Sequence, residues 1–253
     1  MHLIRNGKDP YRDMGADIHR LAPEIREAFI AADKEHLTPD QERWRFDGKT
    51  GVLSCGFGVS GEGLRKKYPN IPLDHCKRIV DTYRTIWAPG VKVLWYDLQD
   101  TGFCAMQNPG KEFQAKCGVR YWLDRRALVC RLLNGKEIYY PEPELKIDPE
   151  FGKLAIYHSV VRNHQWCRTR TWYGTLCENV VSAHARELLA GAMLRAEERG
   201  FTVVLSVHDE LVIEGAGLTK ELIGEVMSEP PEWAVTAGIP IAVDAWIGNR
   251  YRK

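Results

Sequence analysis

The chain has 253 residues, 44% of them apolar, and a formal net charge of +1. That is enough for one large cored domain or two smaller ones, and the near-neutral balance excludes a global basic field, so a nucleic-acid surface would have to be a local patch. No run approaches a membrane span and no basic-then-apolar leader opens the chain, which reads as a soluble, unsecreted protein; its seven cysteines form no CxxC pair and read as reduced cytoplasmic thiols.

The residues before Asp9 carry neither a capping signal nor a strand pattern. Asp9-Pro10 has the form of an N-cap and first-turn proline opening a helix. Ile18, Leu21, Ile25, Ala28 and Phe29 follow at helical spacing, with Pro23 as an interruption. Thr38-Pro39-Asp40-Gln41 opens the next helix, expected to run through Gly58. Leu73 to Trp87 reads as an amphipathic helix, with Ile79, Val80, Tyr83 and Trp87 at helical spacing. Val91 to Leu98 fits a strand or a short buried segment. Asn134-Gly135, between apolar runs 127–133 and 136–140, is a strong hairpin signal.

Gly174 to Arg199 is the longest helical pattern, with Leu176, Val180, Val181, Leu188, Leu189, Ala192 and Met193 on its apolar stripe and Gly200 as C′ cap. The stretch 201–215 then reads as a hairpin: Val203–Val207 and Leu211–Ile213 flank the triplet His208-Asp209-Glu210. Leu218 to Met227 reads as a last helix and Ile239 to Trp246 as a last strand. Helices first, then mixed strands and helices, predict an α+β chain, mainly helical over 1–115 and mixed over 116–253.

Two features call for chemistry rather than packing. Arg45, Lys49, Leu53 and Phe57 stand four apart, so on one helix they form a stripe with two cations toward its N-terminal end. Cations there oppose the helix macrodipole, yet with helix N–H groups they suit a polyphosphate, and a following aromatic can stack on a base. The alternative is an amphipathic helix with a solvated basic edge. Gly48, Gly51, Gly56 and Gly58 each cost about 1 kcal/mol in a helix interior and fit close approach by a ligand or another chain segment. The second feature is the hairpin tip, which holds no glycine or asparagine but an imidazole and two carboxylates. A carboxylate there can bind Mg²⁺, a hard oxygen-seeking ion. Nucleotidyl transfer with two metals needs such carboxylates and a cationic phosphate clamp together.

Taken together, these residues resemble family-A DNA polymerases of the phage type. SVHDELV resembles the family's third polymerase motif, and the Arg45-Lys49-Leu53-Phe57-Gly58 pattern resembles its second motif, the mobile helix of the fingers. DPY at 9–11, NGKEIYYPEP at 134–143, YGTLCENVVSAHARELL at 173–189 and the ending AWIGNRYRK extend the resemblance in the family's order along nearly the whole chain. The resemblance implies helical fingers over 1–115 and the C-terminal half of a palm over 116–253, with the catalytic hairpin at 201–215. Asp209 matches the metal-binding aspartate, Glu210 the adjacent acid of lesser role, and His208 the residue at the primer end. Lys49 and Arg45 match the triphosphate-holding cations, Lys49 also the acid that protonates the leaving pyrophosphate. Phe57 matches the aromatic beside the nascent base pair, and Tyr11 a residue near the phosphates. Leu53, Ser182 and Glu178 depart from the family, standing where many relatives have Phe or Tyr, Gln, and a neutral amide. His184 and Arg186 are candidates for backbone contacts, with His184 read as a solvated helix residue.

The resemblance implies two Mg²⁺ ions, deoxynucleoside triphosphates and primer-template DNA. It also makes an absence informative. The first motif, an apolar strand followed by DxSxxE, occurs nowhere in the sequence. Asp97 and Asp244 lack the following Ser and Glu and read as strand-end acids. The expectation is therefore a split polymerase: a second polypeptide carries the first motif, the thumb and an exonuclease where there is one, pairs with this chain through an extensive core-like interface, and makes it active. If the gene is a phage's, the site of action is the bacterial host cytoplasm. The competing expectation is a non-catalytic polymerase remnant that binds DNA or nucleotides. A metal-dependent hydrolase built on His208-Asp209-Glu210 leaves the basic helix unexplained, and no HxxxH or CxxC pair supports it.

Overall fold

A computed structural model describes residues 9–33 and 35–251; the stretch before Asp9 and the last two residues of AWIGNRYRK lie outside them. Among the described residues the chain divides into two compact units, one up to residue 179 and the other from residue 180 on.

The first unit opens with helices. α1 (Pro10–His19) is capped as expected: Asp9 accepts the Tyr11 backbone N–H at 2.9 Å and Pro10 takes the first turn. Pro23 marks the expected interruption: α1 ends at His19, Arg20 takes a left-handed φ of +51, and Pro23 sits at the first turn of α2 (Pro23–Ala31), where its missing N–H costs nothing. Buried Arg12 donates to the carbonyls of Phe29, Ile30 and Ala32 at the end of α2, a cation at the negative end of a helix dipole. α3 (Pro39–Cys55) carries a full capping box between Thr38 and Gln41. It stops at Cys55, so Phe57 and Gly58 lie in the turn beyond it. α4 (Gly61–Lys67) and α5 (Leu73–Thr82) follow, and α5 runs into a π-helical turn, Tyr83–Trp87. Met14, Ile18, Cys55, Leu64, Ile79 and Tyr83 are among the core residues between these helices.

The glycines of α3 are explained by chain packing. A Cβ on Gly48 would stand 1.8 Å from the Tyr11 carbonyl oxygen and 2.6 Å from the Gly15 nitrogen, and one on Gly15 would stand 2.2 Å from the Trp44 carbonyl oxygen. α1 and α3 thus cross backbone to backbone, and neither side can yield as a flexible side chain would. Gly48→Ala is expected to destabilise the protein by about 3 kcal/mol or more, lowering the thermal midpoint by roughly 6–12 °C. Gly224→Ala, in a helix with nothing within 4 Å of the added carbon, is expected to gain about 0.5–1 kcal/mol. Calorimetry of the two variants checks both; equal midpoints would refute the close crossing.

Val91 to Leu98 is helical, part of α6 (Gly90–Gln107). The buried positions Trp95, Leu98, Thr101, Gly102 and Ala105 continue the three-and-four spacing past Leu98, which a window ending there cannot register. Antiparallel strands β1 (Phe113–Gln114), β2 (Arg120–Asp124), β3 (Ala127–Arg131) and β4 (Glu137–Pro141) form one sheet in chain order. The Asn134-Gly135 turn lies between β3 and β4 as expected, with Gly135 at φ +84. β5 (Glu144–Ile147), β6 (Leu154–Arg162) and β7 (Gln165–Thr171) form a second antiparallel sheet.

α7 (Tyr173–Glu198) runs from the first unit into the second. Leu176, Val180 and Ala192 of its expected stripe are buried, while Val181 is exposed. Its end is a Schellman cap: Gly200, at φ +81, donates to the Glu197 carbonyl and Phe201 to that of Ala196. β8 (Thr202–Val207) and β9 (Glu210–Glu214) form the expected hairpin. α8 (Lys220–Ser228) and α9 (Glu232–Thr236) follow. Ile239–Trp246 is not a strand: Pro240 offers no N–H to a ladder, and β8 and β9 pair only with each other among the described residues. The fold is α+β, as expected. None of the described helices is long and apolar enough to cross a membrane.

Candidate functional site

In the first unit, α3 presents Arg45, Lys49 and Leu53 outward on successive turns. Leu53 is 53% exposed, and Lys49 is exposed and has no ion-pair partner among the described residues. Arg45 is half-buried and engaged. Its Nε donates to Asp9 Oδ2 at 2.9 Å, and its guanidinium lies 5.3 Å from the centre of the Tyr11 ring. Tyr11 and Arg45, far apart in sequence, are thus brought together through the crossing at Gly15 and Gly48. The first-turn N–H groups of α3 are not the ones beside these cations. The capping box engages that end of the helix, with Gln41 N donating to Thr38 Oγ at 3.3 Å and Thr38 N to Gln41 Oε1 at 3.0 Å. Arg45 and Lys49 lie well past it, so the stripe offers side-chain charge and an apolar ledge without helix-end N–H donors.

Phe57 leaves that stripe because the helix ends two residues before it. Its turn is fixed from three sides: Trp95 Nε1 donates to the Gly56 carbonyl at 2.7 Å, Arg84 to the Val59 carbonyl at 2.6 Å, and Gly58, at φ +85, leaves room for the rings of Trp172 and Tyr173. A Cβ on Gly174 would stand 2.2 Å from the Phe57 carbonyl oxygen, so glycine there seats the start of α7 against the turn.

In the second unit, the hairpin tip is a two-residue turn, His208-Asp209, closed by the pair Val207 and Glu210. Glu210 therefore opens β9 rather than belonging to the tip. His208 takes φ +54, a conformation that histidine tolerates better than most side chains. All three side chains are exposed. Tyr251 donates its hydroxyl to Glu210 Oε2 at 2.9 Å, and that bond pushes the tyrosine pKa up. Asp209, Glu210, Lys220, Asp244, Trp246 and Tyr251 all line a cleft of about 670 Å³. Asp244 is thus no strand-end acid but part of an irregular wall facing the same space as Asp209. Asp97 is no strand-end acid either. It lies inside α6, and its carboxylate accepts the Lys116 backbone N–H at 2.6 Å, a structural role. His184 is buried rather than solvated: its ring packs on Trp233 with centroids 5.2 Å apart, Nδ1 lies 2.8 Å from the Val180 carbonyl, and burial lowers its pKa. Ser182, Arg186 and Glu178 are exposed.

One cluster carries no motif in the sequence. His19 Nε2 and His75 Nε2 each lie 2.7 Å from the same oxygen, Oδ2 of Asp47. Burial alone would raise the Asp47 carboxyl, but the hydrogen bonds with His19 and His75 outweigh it and hold the group below its ordinary value. The three residues come from α1, α3 and α5, so no spacing rule could have joined them.

No family model matches the chain. It is 30% identical over 215 residues, 83% of its length, to a DNA polymerase of Bacillus phage SP02, and it spans 33% of that protein. Over most of its length the chain is therefore similar to part of a DNA polymerase.

Proposed function

We propose that this chain is the fingers (1–115) and C-terminal palm (116–253) portion of a family-A DNA polymerase, adding deoxynucleoside triphosphates to a primer on a DNA template. The observation that carries the reading is the α3 stripe: an exposed Lys49 with no acid partner among the described residues, one turn from an Arg45 that lies over Tyr11 and pairs with Asp9, cations of the kind that hold phosphates. Arg45, Lys49 and Tyr11 hold the phosphates, Leu53 and Phe57 border the nucleotide, and His208 meets the primer end. The carboxylate oxygens of Asp209 are hard donors suited to Mg²⁺, with Glu210 in a supporting position. When bound, two such ions lower the charge barrier at the attacking and leaving oxygens.

One exposed carboxylate makes a weak Mg²⁺ site, and no DxSxxE occurs in these 253 residues. We assign the second aspartate to a segment outside them, on the same polypeptide or a separate one that also carries the thumb. The hairpin supports this assignment. Val204 and Leu205 are each 46% exposed, and β8 and β9 find no third strand among the described residues; such open apolar edges recruit further strands.

Primer extension with the chain alone, with the DxSxxE-bearing segment alone and with both is the test. Extension is expected only from the pair. Extension by this chain alone would transfer the second metal-binding role to Asp244, which lines the Asp209 cleft. A stable pair that binds DNA without extending it would make the chain a non-catalytic accessory module.

A further inference from the structure

We propose that His19, Asp47 and His75 form a structural site for a divalent transition-metal ion, Zn²⁺ by donor chemistry, which pins α1 and α5 to the buried face of α3. Two imidazole nitrogens and one carboxylate oxygen are the donor types of protein zinc sites. Their ligand atoms all lie within 4.8 Å of one another. Tetrahedral ligands at ~2.0–2.1 Å from an ion stand about 3.3 Å apart, so the rings need only small rotations away from the 2.7 Å contacts with Asp47 Oδ2. Each neutral imidazole offers its Nε2 lone pair once its proton resides on Nδ1, and the ion then takes the place of the two Nε2–H donors.

The surroundings favour an ion over an apolar lining. Asp47 is 4% exposed, so the site has a buried carboxylate whose Oδ2 faces both imidazoles at 2.7 Å. The side chains of His19 and His75 keep 16% and 19% exposure, which leaves an entry path and a fourth position for water. Cys76, next to His75, is turned away: its thiol is buried and contacts the Ile71 carbonyl. Asp47 lies two residues from both Arg45 and Lys49, hence about 200° around the helix from each. The ion would sit behind the cationic stripe and position it without touching what the stripe binds.

The full chain, stripped with a chelator and titrated with Zn²⁺ alone, tests this by calorimetry. Saturable binding of one ion per chain is expected, with a rise of several degrees in the thermal midpoint. Co²⁺ in its place should give the visible bands of a tetrahedral N/O site and no thiolate charge-transfer band. His75→Gln and His19→Gln are each expected to weaken Zn²⁺ binding at least ~100-fold while retaining the helical circular dichroism of the stripped wild type. No saturable binding by the wild type would overturn the proposal and leave a hydrogen-bonded tie between three helices. Undiminished binding by folded His75→Gln, or a cobalt–thiolate band, would overturn it by placing the ion on cysteines.

Discussion

Asp209→Asn is expected to abolish templated nucleotide addition by the assembled polymerase while leaving its fold and assembly intact. The substitution keeps the shape of the side chain and removes its charge. Asp209 is exposed in a two-residue turn, so its loss as a carboxylate should cost the fold less than about 0.5 kcal/mol, the usual range for surface sites. The chemical cost is much larger. A catalytic metal ion contributes several kcal/mol, and each ~1.4 kcal/mol is tenfold in rate, so single-turnover primer extension should fall at least about 10³-fold. Glu210→Gln is the internal comparison. Its carboxylate already accepts the Tyr251 hydroxyl at 2.9 Å, which suits a supporting role, and its rate loss should be the smaller. Near-normal extension by Asp209→Asn, with an unchanged thermal midpoint, would remove the hairpin from the chemistry.

Local signals were the legible part of this fold. Caps at Asp9, Thr38 and Gly200 and the Asn134-Gly135 turn all depend on residues within a few positions of one another, and each stands where the sequence puts it. The sheet β5–β7 was missed because the turn between β6 and β7 joins a usual turn residue, Asn163, to a histidine. Asn163 and His164 both take positive φ, +49 and +61, the backbone of a tight hairpin turn, but with histidine where glycine would have announced it. The last apolar run, Ile239–Trp246, shows the converse error: a strand pattern with no ladder partner is not a strand. The stripe failed at one position for a similar reason. Spacing placed Phe57 on the helix, whereas Gly56 and Gly58 end it first and neighbouring aromatics fix the turn.

What no local rule reaches is contact across the chain. The glycines of α3 are opaque in sequence, where a ligand and a crossing helix predict the same small residue. The structure assigns Gly48 to the crossing with α1, and that crossing seats Tyr11 against Arg45. The His19-Asp47-His75 cluster arises from the same three-helix packing and has no linear signature. By contrast, the candidate residues Lys49 and Asp209 were proposed from local patterns, the four-residue stripe and the acidic turn between two apolar runs, and both side chains are exposed.

That exposure shapes the second large expected effect. Lys49→Ala should lower the single-turnover rate of nucleotide addition about 10²-fold or more, as the loss of one transition-state donor does elsewhere. Lys49 has no acid partner among the described residues, and alanine is the better helix former, so the variant should be no less stable than the parent. Arg45→Ala offers the contrast. Arg45 already binds Asp9 and covers Tyr11, so its removal should weaken nucleotide binding and also loosen the α1–α3 contact, lowering the thermal midpoint. The two variants separate charge delivered to a substrate from charge used within the protein. Rapid-quench measurement of the addition rate against nucleotide concentration, paired with calorimetry of each variant, distinguishes them. An unchanged rate for Lys49→Ala would make the α3 stripe a solvated basic edge and leave the triphosphate to other residues.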